Sequence, residues 1–493
     1  MYTLLTGSTG LLGRYLVRDM LARGWPVCVL VRGTRRDTAA DRMETVVSRW
    51  EHTLGRRLPR PVILNGHLTD DRLGLSSDDI AWVQDNCQRV VHCAASMKFT
   101  PDEDGEPNRT NIDGVKHLLT FCDRLGIEEY HHVSSAYVAG MKNDRVTESD
   151  LNIEESWTNN SYLGSKSVGE QIVRENSTLQ SITIYRPSMI VGDSLNGYTS
   201  TYHGFYTPLR LGHAIGPKFP PSAQLDQLNF LDVLNLVGNE SKNLVPVDWV
   251  AAAMIEIIRS PEHHGKVYHL THPRPLNVTQ MQVIFLEVLE PLIGRDFRGV
   301  EVPGLNEARG FFQEQMRIYQ AYWRNDPIFD RTNSDRALRH LPPPEMTVDR
   351  IRQMAQFAVD NNFGWPTERC VRSDPRFNTQ FDELTRQPRA VKGNVTEPTC
   401  IAAQITGQGG GDWHFQVEQG WLRAAGRGIS AADVTFYAGS ETLSAIAQGD
   451  LTAQAAIAQG RVLVLGQADQ PDRVAILLQS LADAITPKVA AAS

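Results

Sequence analysis

The stretch Leu4-Leu5-Thr6-Gly7-Ser8-Thr9-Gly10-Leu11-Leu12-Gly13 decides the fold of this chain. It spaces three glycines as GxxGxxG between a short apolar run that begins at residue 2 and an amphipathic pattern that ends near Arg23. Glycine suits a sharp turn out of a sheet, a close approach of pyrophosphate to the backbone, and tight packing of a helix on a strand. The start of that helix also attracts an anion. The stretch therefore predicts a loop that binds a dinucleotide.

Strand-like and helix-like patterns alternate along the first third of the chain, as they do in βαβ units. Strands are predicted at residues 2–6, 26–31, 61–65, 89–92, 130–134 and 181–185, with helices starting after residues 10, 37, 77, 108 and 160. This alternation predicts an α/β fold with a Rossmann-type doubly wound parallel sheet over about residues 1–185. Shorter, less regular pieces over 186–366 predict a small substrate lobe.

Length and composition place the chain among ordinary globular proteins of more than one domain. It has 493 residues, of which 41% are hydrophobic and 22% are charged, and a domain usually takes about 150 residues. The formal net charge of -8 leaves no basic footprint along the sequence. We therefore expect no nucleic-acid partner.

Cysteine spacing and hydropathy bear on the compartment. The six cysteines form no CxxC pair, which favours reduced thiols. A strand at residue 2 leaves no room for a secretory leader, and no apolar run reaches about 18 residues. We expect a cytoplasmic protein without a transmembrane segment, and peripheral membrane contact stays open. The pairs His131-His132 and His263-His264 lack acid or thiol partners at metal spacing, so no metal is predicted.

The end of the second strand bears on which dinucleotide binds. NAD-binding folds usually carry an acid there, which bonds the ribose diol. This chain has no acid at that point and offers Arg32, Arg35 and Arg36 instead. Planar guanidinium groups suit a phosphate, so the sequence favours NADP(H). The alternative is that these are three solvated loop arginines.

Three side chains further along suit carbonyl reduction. Tyr162 and Lys166 lie one helical turn apart on the same face, and Ser134 and Ser135 end a strand at the carboxyl edge of the sheet. Reduction by hydride needs a proton donor at the oxygen, and Lys166 is expected to lower the pKa of the Tyr162 phenol. Ser135 would hold the substrate oxygen. The alternative is a packing tyrosine beside an exposed lysine.

Together these motifs resemble the extended short-chain dehydrogenase/reductase superfamily over about residues 1–366, and within it the fatty acyl-CoA reductase and thioester reductase branch. The segments that carry the resemblance are Thr6 to Gly13, His92-Cys93-Ala94-Ala95, Asn111-Ile112-Asp113-Gly114, Val133 to Val138, Tyr162 with Lys166, and Arg186 to Ser194. Weaker likeness to the lipid-directed branch lies in Val245 to Val250 and in Asp326 to Asp330 with Asn333.

The resemblance implies a role for each matching position. Ser135, Tyr162 and Lys166 match the catalytic residues, with Ser135 rather than Ser134 as the catalytic hydroxyl. The implied cofactor contacts are Gly7, Ser8, Thr9, Gly10, Leu11, Leu12 and Gly13, then Cys93, Ala94 and Ala95 on the adenosine side, Val133, Tyr162 and Lys166, and Pro187, Ser188, Met189 and Ile190 at the nicotinamide. Asn111 supports the active-site helix.

The chain departs from the family pattern in the loop after the third strand. The family usually has an aspartate after glycine there, whereas this chain has Gly66-His67-Leu68. His67 cannot copy a carboxylate acceptor. Leu68 can still offer backbone groups to the adenine, so both residues stay in the predicted cofactor site.

The last hundred residues predict a separate unit. Residues 367–394, with Pro375 and Pro388 and weak periodicity, are predicted to be a linker. Beyond them, strands at 412–417, 433–437 and 461–465 and helices at 441–447 and 452–458 predict an α+β domain over 395–493. On the run from Gly439 to Val462, the unit over residues 395–493 resembles the sterol carrier protein 2 fold, which implies a hydrophobic lipid tunnel. The alternative is ordinary core packing.

The leading functional hypothesis is an NADPH-dependent reductase of a lipidic carbonyl, with a fatty acyl thioester, on CoA or an acyl-carrier protein, as the first candidate substrate. No adenylation segment precedes the reductase, so the acyl group is expected to arrive already activated. The rival within enzymes is an NADP-dependent oxidoreductase of a lipid ketone, of the 3β-hydroxysteroid type. The rival from another class is a non-catalytic lipid-binding or transfer protein.

Overall fold

The computed structural model describes most of the chain, and every statement below concerns that part. The described residues are 1–140, 145–153, 160–218, 231, 236–293, 310, 313–314, 316, 324–367, 369–374, 376–393, 395, 397–466 and 470–485. Parts of the predicted substrate lobe and residues 486–493 of the predicted C-terminal domain therefore lie outside the described residues.

A parallel sheet of seven strands forms the N-terminal core. Its strands are β1 (Tyr2–Thr6), β2 (Val27–Val31), β3 (Val62–Asn65), β4 (Cys87–His92), β5 (Glu129–Val133), β6 (Ser181–Pro187) and β7 (Val267–Leu270). They lie in the order β7-β6-β5-β4-β1-β2-β3. Chain order reverses between β1 and β4, where ligands of such sheets bind. The predicted Rossmann-type fold is confirmed, and its six predicted strands end within two residues of the observed ones.

The helices cover both faces of this sheet and build the other units. They are α1 (Leu11–Ala22), α2 (Ala39–Leu54), α3 (Ser77–Asn86), α4 (Gly114–Leu125), α5 (Ser161–Arg174), α6 (Tyr206–Ile215), α7 (Val247–Ile258), α8 (Val278–Leu289), α9 (Thr332–Ala337), α10 (Val348–Asp360), α11 (Arg376–Arg386), α12 (Ser440–Gln448), α13 (Ala453–Ala458) and α14 (Pro471–Ala484). Helices α1, α2 and α7 share one hydrophobic core, while α3 and α4 share the core on the opposite face. Both faces of the strands are thereby buried, which explains their continuous apolar runs.

The substrate lobe follows β6 and has a core of its own. Helices α6, α8 and α10 pack together there through buried aliphatic and aromatic side chains. Short strand pairs join it to the sheet: Met189–Val191 with Leu244–Pro246, Ser241–Lys242 with Leu276–Asn277, and Arg145–Val146 with Ile328–Phe329. Strand β7 lies in the predicted lobe and was not predicted, because it joins the sheet from outside the regular alternation that ends near residue 185.

The C-terminal unit is a sheet backed by helices. Its strands are β8 (Thr399–Thr406), β9 (Gly411–Glu418), β10 (Trp421–Arg427), β11 (Val434–Gly439) and β12 (Val462–Gly466), with Arg389–Ala390 beside β10. Helix α11 lies in the segment predicted as a linker, yet its Phe381 is buried against Trp413 and Phe415 of this unit. Its apolar positions become a core face only once the sheet supplies a partner.

The C-terminal unit contacts the N-terminal domain around the loop that precedes β3, where Pro59 forms a bridge with Thr406. Tyr2 donates its hydroxyl to Asp412 Oδ2 at 2.9 Å, and Trp82 Nε1 donates to the carbonyl of Arg427 at 2.7 Å. Arg57 pairs with Glu441 at 2.6 Å. In the described part of the chain, no helix has both the length and the apolar character to cross a bilayer.

Candidate active site

The glycine loop leaves room for a phosphate at the start of α1. Gly7 has a φ of +73°, and a Cβ there would lie 2.5 Å from the backbone nitrogen of Ala94. A Cβ on Gly13 would lie 2.0 Å from the carbonyl oxygen of Gly7. Gly10 is the N-terminal cap of α1 and has no side chain to occupy the first amides of the helix. These amides are therefore open to the crevice at the β1–β4 crossover. This bare backbone cradle fits a pyrophosphate.

Arg42, which the sequence reasoning missed, lies between the glycine loop and the loop that carries Arg32, Arg35 and Arg36. Arg42, in the first turn of α2, donates to the carbonyl of Arg32 at 2.5 Å and to Thr9 Oγ1 at 2.9 Å. Burial and the neighbouring Arg32 lower the pKa of Arg42. The side chains of Arg35 and Arg36 are exposed on the same loop. Arginine at this density suits a phosphate beside the ribose. The signal in the sequence was Thr38, a helix cap that fixes where Arg42 lies.

The residues predicted for the adenine side differ in exposure. His67 Nε2 lies 3.0 Å from Arg32 Nη1, and burial together with that arginine lowers the pKa of His67. Leu68 is buried, and its carbonyl oxygen is 3.1 Å from His117 Nδ1. The hydroxyl of Ser8 is also buried, 3.4 Å from Met43 Sδ. Any contact of Ser8 with a cofactor therefore has to come from its backbone.

A cavity of about 380 Å³ brings most of the predicted site together. The predicted residues that line it are Gly7, Gly10, Leu11, Leu12, Gly13, Cys93, Ala95, Val133, Ser135, Tyr162, Lys166, Pro187, Ser188, Met189 and Ile190. The other predicted site residues lie outside its lining: Ser8, Thr9, Arg32, Arg35, Arg36, His67, Leu68, Ala94 and Asn111. The cavity thus runs from the glycine loop to the carboxyl ends of β5 and β6.

The structure separates the two serine hydroxyls at the end of β5. Ser134 Oγ donates to Glu170 Oε2 at 2.5 Å, and this buried carboxylate also accepts from Arg186 Nη2 at 2.6 Å. Ser135 Oγ accepts a long bond of 3.4 Å from the backbone nitrogen of Tyr137 and lines the cavity. Both serines line the cavity, but the Ser134 hydroxyl is engaged in an ion-pair network, whereas Ser135 Oγ has only this long bond among the hydrogen bonds described.

Tyr162 and Lys166 line the cavity from α5, but the pKa of Tyr162 shifts in the direction opposite to the predicted one. Burial raises the pKa of Tyr162 to about 12, with Cys93 adding to the rise. Burial lowers the pKa of Lys166 to about 8, and its ammonium donates to the carbonyl of Val133 at 2.6 Å. The expected lowering of the tyrosine pKa is therefore wrong for the cavity as it stands. Desolvation of the phenol outweighs any help from an ammonium that a backbone carbonyl already engages.

Asn111 fixes the active-site helix to the loop after β4. Its Nδ2 donates to Ser165 Oγ at 2.9 Å and to the Ser96 carbonyl at 3.0 Å, while its Oδ1 accepts from the Ser96 amide at 2.8 Å. A Cβ on Gly169 would lie 2.6 Å from the Asn111 carbonyl oxygen. These contacts hold the helix that bears Tyr162 and Lys166 close to the cavity wall.

The far end of the cavity is lined by residues to which the sequence analysis gave no role, although Tyr137 lies in the quoted Val133 to Val138 segment. Met97, Phe99, Tyr137, Thr201 and His203 line it together with Gly204. The Tyr137 hydroxyl donates to Asp326 Oδ2 at 2.9 Å, and Asp326 pairs with the buried Lys242. These residues come from loops far apart in the sequence, so spacing could not group them. They give this end a mainly apolar wall with polar groups at its rim.

Two of the histidines set aside at the sequence level do meet an acid. His131 Nε2 lies 2.6 Å from Glu129 Oε1, and His264 Nδ1 lies 3.4 Å from the same oxygen. The arginine Arg89 contacts both oxygens of this carboxylate. The cluster begins β5, at the opposite end of the strands from the cavity. With a guanidinium already on the carboxylate, it works as an ion-pair network that ties β4, β5 and the loop after α7 together.

The fold and the cavity define the class of protein. A glycine cradle at the β1–β4 crossover, arginines beside it, and Ser135, Tyr162 and Lys166 around one cavity define a dinucleotide-binding fold whose cavity holds side chains suited to carbonyl chemistry. When bound, a nicotinamide dinucleotide supplies or accepts hydride. The chain itself would hold the phosphates on the loop and the carbonyl oxygen of a substrate at the hydroxyls.

The chain belongs to the male sterility protein family, an NAD-binding family whose pattern matches residues 5–254. Residues 381–475 match the SCP-2 sterol transfer family, as the resemblance at the C terminus predicted. This second match starts inside the segment predicted as a linker, in the middle of α11. Both resemblances are confirmed, and the chain joins a reductase-type domain to a sterol-carrier-type domain.

Curated relatives and solved structures agree with this assignment. The chain is 25% identical over 313 residues to a nonribosomal peptide synthetase of Aspergillus flavus, covering 60% of this chain and 28% of that protein. It is 25% identical over 283 residues to human fatty acyl-CoA reductase 1, covering 50% of this chain and 52% of the reductase. The chain thus spans about half or less of these relatives.

Among solved structures, the terminal R domain from the myxalamid PKS-NRPS pathway has the same fold. The TM-score is 0.57 at 23% sequence identity, and the match covers 74% of this chain and 92% of that domain. A thiolation-reductase di-domain from an archaeal nonribosomal peptide synthetase matches with a TM-score of 0.54 at 17% identity, over 73% of this chain and 76% of that structure.

Proposed function

We propose that the protein is an NADPH-dependent reductase of an acyl thioester with a lipidic chain. The observation that carries this proposal is the single cavity in which Ser135, Tyr162 and Lys166 lie beside the glycine loop and a mainly apolar wall. Arg32 and Arg42 at the ribose end support NADPH over NADH, because NADPH alone carries a phosphate there. The relatives named above include a fatty acyl-CoA reductase, which supports a thioester substrate.

The proposed chemistry divides the work among the side chains. Hydride adds to the carbonyl carbon of the thioester, and the resulting oxyanion takes a proton from Tyr162 while Ser135 donates a hydrogen bond to it. The tetrahedral hemithioacetal then expels the thiol and leaves an aldehyde. A raised pKa keeps Tyr162 protonated at neutral pH, as an acid in this step must be. Ser134 stays with Glu170 and takes no part.

The C-terminal unit is proposed to bind the hydrophobic chain of the substrate or product. Its match to a sterol transfer family supports lipid binding. In the described residues, its hydrogen bonds to the reductase include those of Trp82, on α3, and of Tyr2, which begins β1 at the end of the strand opposite the glycine loop. That location favours sequestering a lipid over direct delivery into the cavity, which opens toward the lobe after β6.

A substrate panel tests the proposal. NADPH oxidation is followed in parallel with palmitoyl-CoA, palmitoyl-loaded acyl-carrier protein, a long-chain aldehyde and a steroid ketone. We expect turnover with a thioester and release of free thiol. Turnover with the ketone alone would replace the thioester with a lipid ketone as substrate, and no turnover alongside tight lipid binding would make the protein a lipid carrier.

A further inference from the structure

The segment that joins the two units, residues 369–374, lies against the start of α2 and the arginine-bearing loop that precedes it. Val371 donates its amide to Thr45 Oγ1 at 2.8 Å, and Ser373 donates its amide to Asp41 Oδ1 at 2.8 Å. Arg372 donates to the carbonyl of Arg36 at 3.2 Å. Three consecutive residues thus contact the start of α2 or the loop before it. Of these, Arg372 holds the loop that carries the predicted phosphate-binding arginines.

Arg372 also forms ion pairs with two carboxylates beside those arginines. Its Nη1 lies 2.8 Å from Asp41 Oδ2 and 3.5 Å from Asp37 Oδ1. Burial by itself would raise the pKa of Asp41, but hydrogen bonds from Ser373, Thr38 and Arg372 hold that pKa well below its ordinary value. Asp41 is therefore ionised, and without Arg372 its charge would act on any anion bound nearby.

Asp41 in turn fixes the start of the helix that carries Arg42. The Thr38 hydroxyl accepts from the Asp41 amide at 3.1 Å, and the Asp41 carboxylate accepts from the Thr38 amide at 3.2 Å, which together form a capping box. The next residue, Arg42, donates to Thr9 and to the carbonyl of Arg32. A continuous set of contacts therefore runs from the connecting segment to the glycine loop.

The same segment is held from its other side by the C-terminal unit. Gln408, in the turn between β8 and β9, donates its Nε2 to the carbonyl of Arg372 at 2.8 Å. The position of Arg372 therefore depends on both units at once. A shift of the C-terminal sheet away from β3 would withdraw this guanidinium from Asp37 and Asp41.

We propose that Arg372 is a positioning and specificity residue for the 2′-phosphate of NADPH, and that it couples the docking of the C-terminal unit to NADPH binding. The proposal rests on the NADPH-dependent function proposed above. Arg372 acts by offsetting the charges of Asp37 and Asp41 and by holding the Arg36 carbonyl. NADH lacks the phosphate that feels these charges, so its affinity is independent of Arg372. By thermodynamic reciprocity, bound NADPH tightens the docking.

Dissociation constants of the full-length protein test the proposal. NADPH, NADH and 2′,5′-ADP are titrated against wild type, Arg372→Ala, Arg372→Lys and Arg369→Ala. The control Arg369 is an exposed arginine of the same segment. For a half-exposed ion pair we expect Arg372→Ala to weaken NADPH and 2′,5′-ADP by about fivefold, with NADH unchanged. Arg372→Lys restores most of the loss, and Arg369→Ala has no effect.

Amide hydrogen exchange gives a readout that does not depend on activity. NADPH is expected to slow exchange of the Val371 and Ser373 amides in wild type and to have a smaller effect in Arg372→Ala. Equal weakening of NADPH and NADH by Arg372→Ala would reduce Arg372 to a structural residue and overturn the proposal, as would unchanged NADPH affinity. Wild type that prefers NADH would instead overturn the NADPH assignment itself, and this inference with it.

Discussion

At the scale of single residues, removal of the Tyr162 hydroxyl is expected to slow the reduction step without weakening the binding of NADPH. Tyr162→Phe is expected to lower the rate of thioester reduction by at least about a hundredfold, because the oxyanion loses its proton donor. The dissociation constant of NADPH should stay within about twofold, since the phosphates bind on the glycine loop. Steady-state kinetics and fluorescence titration measure the two quantities.

The matched control for this prediction is Tyr137→Phe. Tyr137 lines the same cavity, but its hydroxyl is engaged with Asp326, so its loss should cost less than about tenfold in rate. If Tyr162→Phe weakens NADPH binding as much as it slows reduction, the proton-donor role is wrong.

Arg32 tests the preference for the phosphorylated cofactor. Arg32→Asp is expected to raise the dissociation constant of NADPH by more than about tenfold, because a charge-assisted bond to the phosphate is replaced by repulsion. NADH should bind at least as well as before. The comparison variant is Arg124→Asp, which makes the same change in net charge at an exposed position on α4. An unchanged ratio of the two affinities would contradict the phosphate assignment.

At the scale of elements, the junction of β1 and α1 depends on glycine at position 13. A Cβ there would lie 2.0 Å from the Gly7 carbonyl oxygen and 2.9 Å from Ser8 Cα, both in the backbone of the loop. Gly13→Ala must therefore push α1 away from the loop. We expect a lower melting temperature and at least about tenfold weaker NADPH binding, in line with an overpacking cost of about 1–3 kcal/mol.

The control for this prediction is Gly216→Ala. Gly216 has a φ of -50°, and a Cβ there meets nothing within 4 Å, so its replacement should be neutral for NADPH binding. Equal behaviour of the two variants would mean that close packing at the glycine loop does not position the phosphate site.

At the scale of the whole molecule, the contact between the two units contains a carboxyl group that titrates. Burial raises the pKa of Asp412, which accepts the Tyr2 hydroxyl, to about 6. The folded protein binds this proton more tightly than the unfolded chain does. The stability that the group contributes is therefore fully present below about pH 4 and is lost as the pH rises through about 6.

Asp412→Asn removes this dependence. We expect the variant to unfold at a higher temperature than wild type at pH 8, by an amount that corresponds to at most about 3 kcal/mol, and at the same temperature near pH 4. Thermal unfolding at several pH values measures the difference, with Asp450→Asn at an exposed turn as the control. Equal destabilisation at both pH values would contradict the raised pKa.

Sequence patterns alone predicted the parallel sheet, the glycine loop and the placement of Tyr162 and Lys166 on one helix face, because each rests on local spacing. A glycine where the backbone needs one, and a tyrosine and a lysine one turn apart on a helix, are properties of neighbouring positions. In the C-terminal unit, the strand predicted at 433–437 starts one residue before the observed strand, and the helix predicted at 441–447 lies within the observed helix, for the same reason.

Only the tertiary structure decided which groups meet across long separations in the chain. Arg42 comes to Thr9, α11 joins the C-terminal core, and Arg372 reaches Asp41 from a segment that looks like a plain linker. The pKa of Tyr162 was predicted in the wrong direction because desolvation depends on how deep the cavity lies. Spacing in a sequence carries no measure of burial, and burial sets the electrostatics of this site.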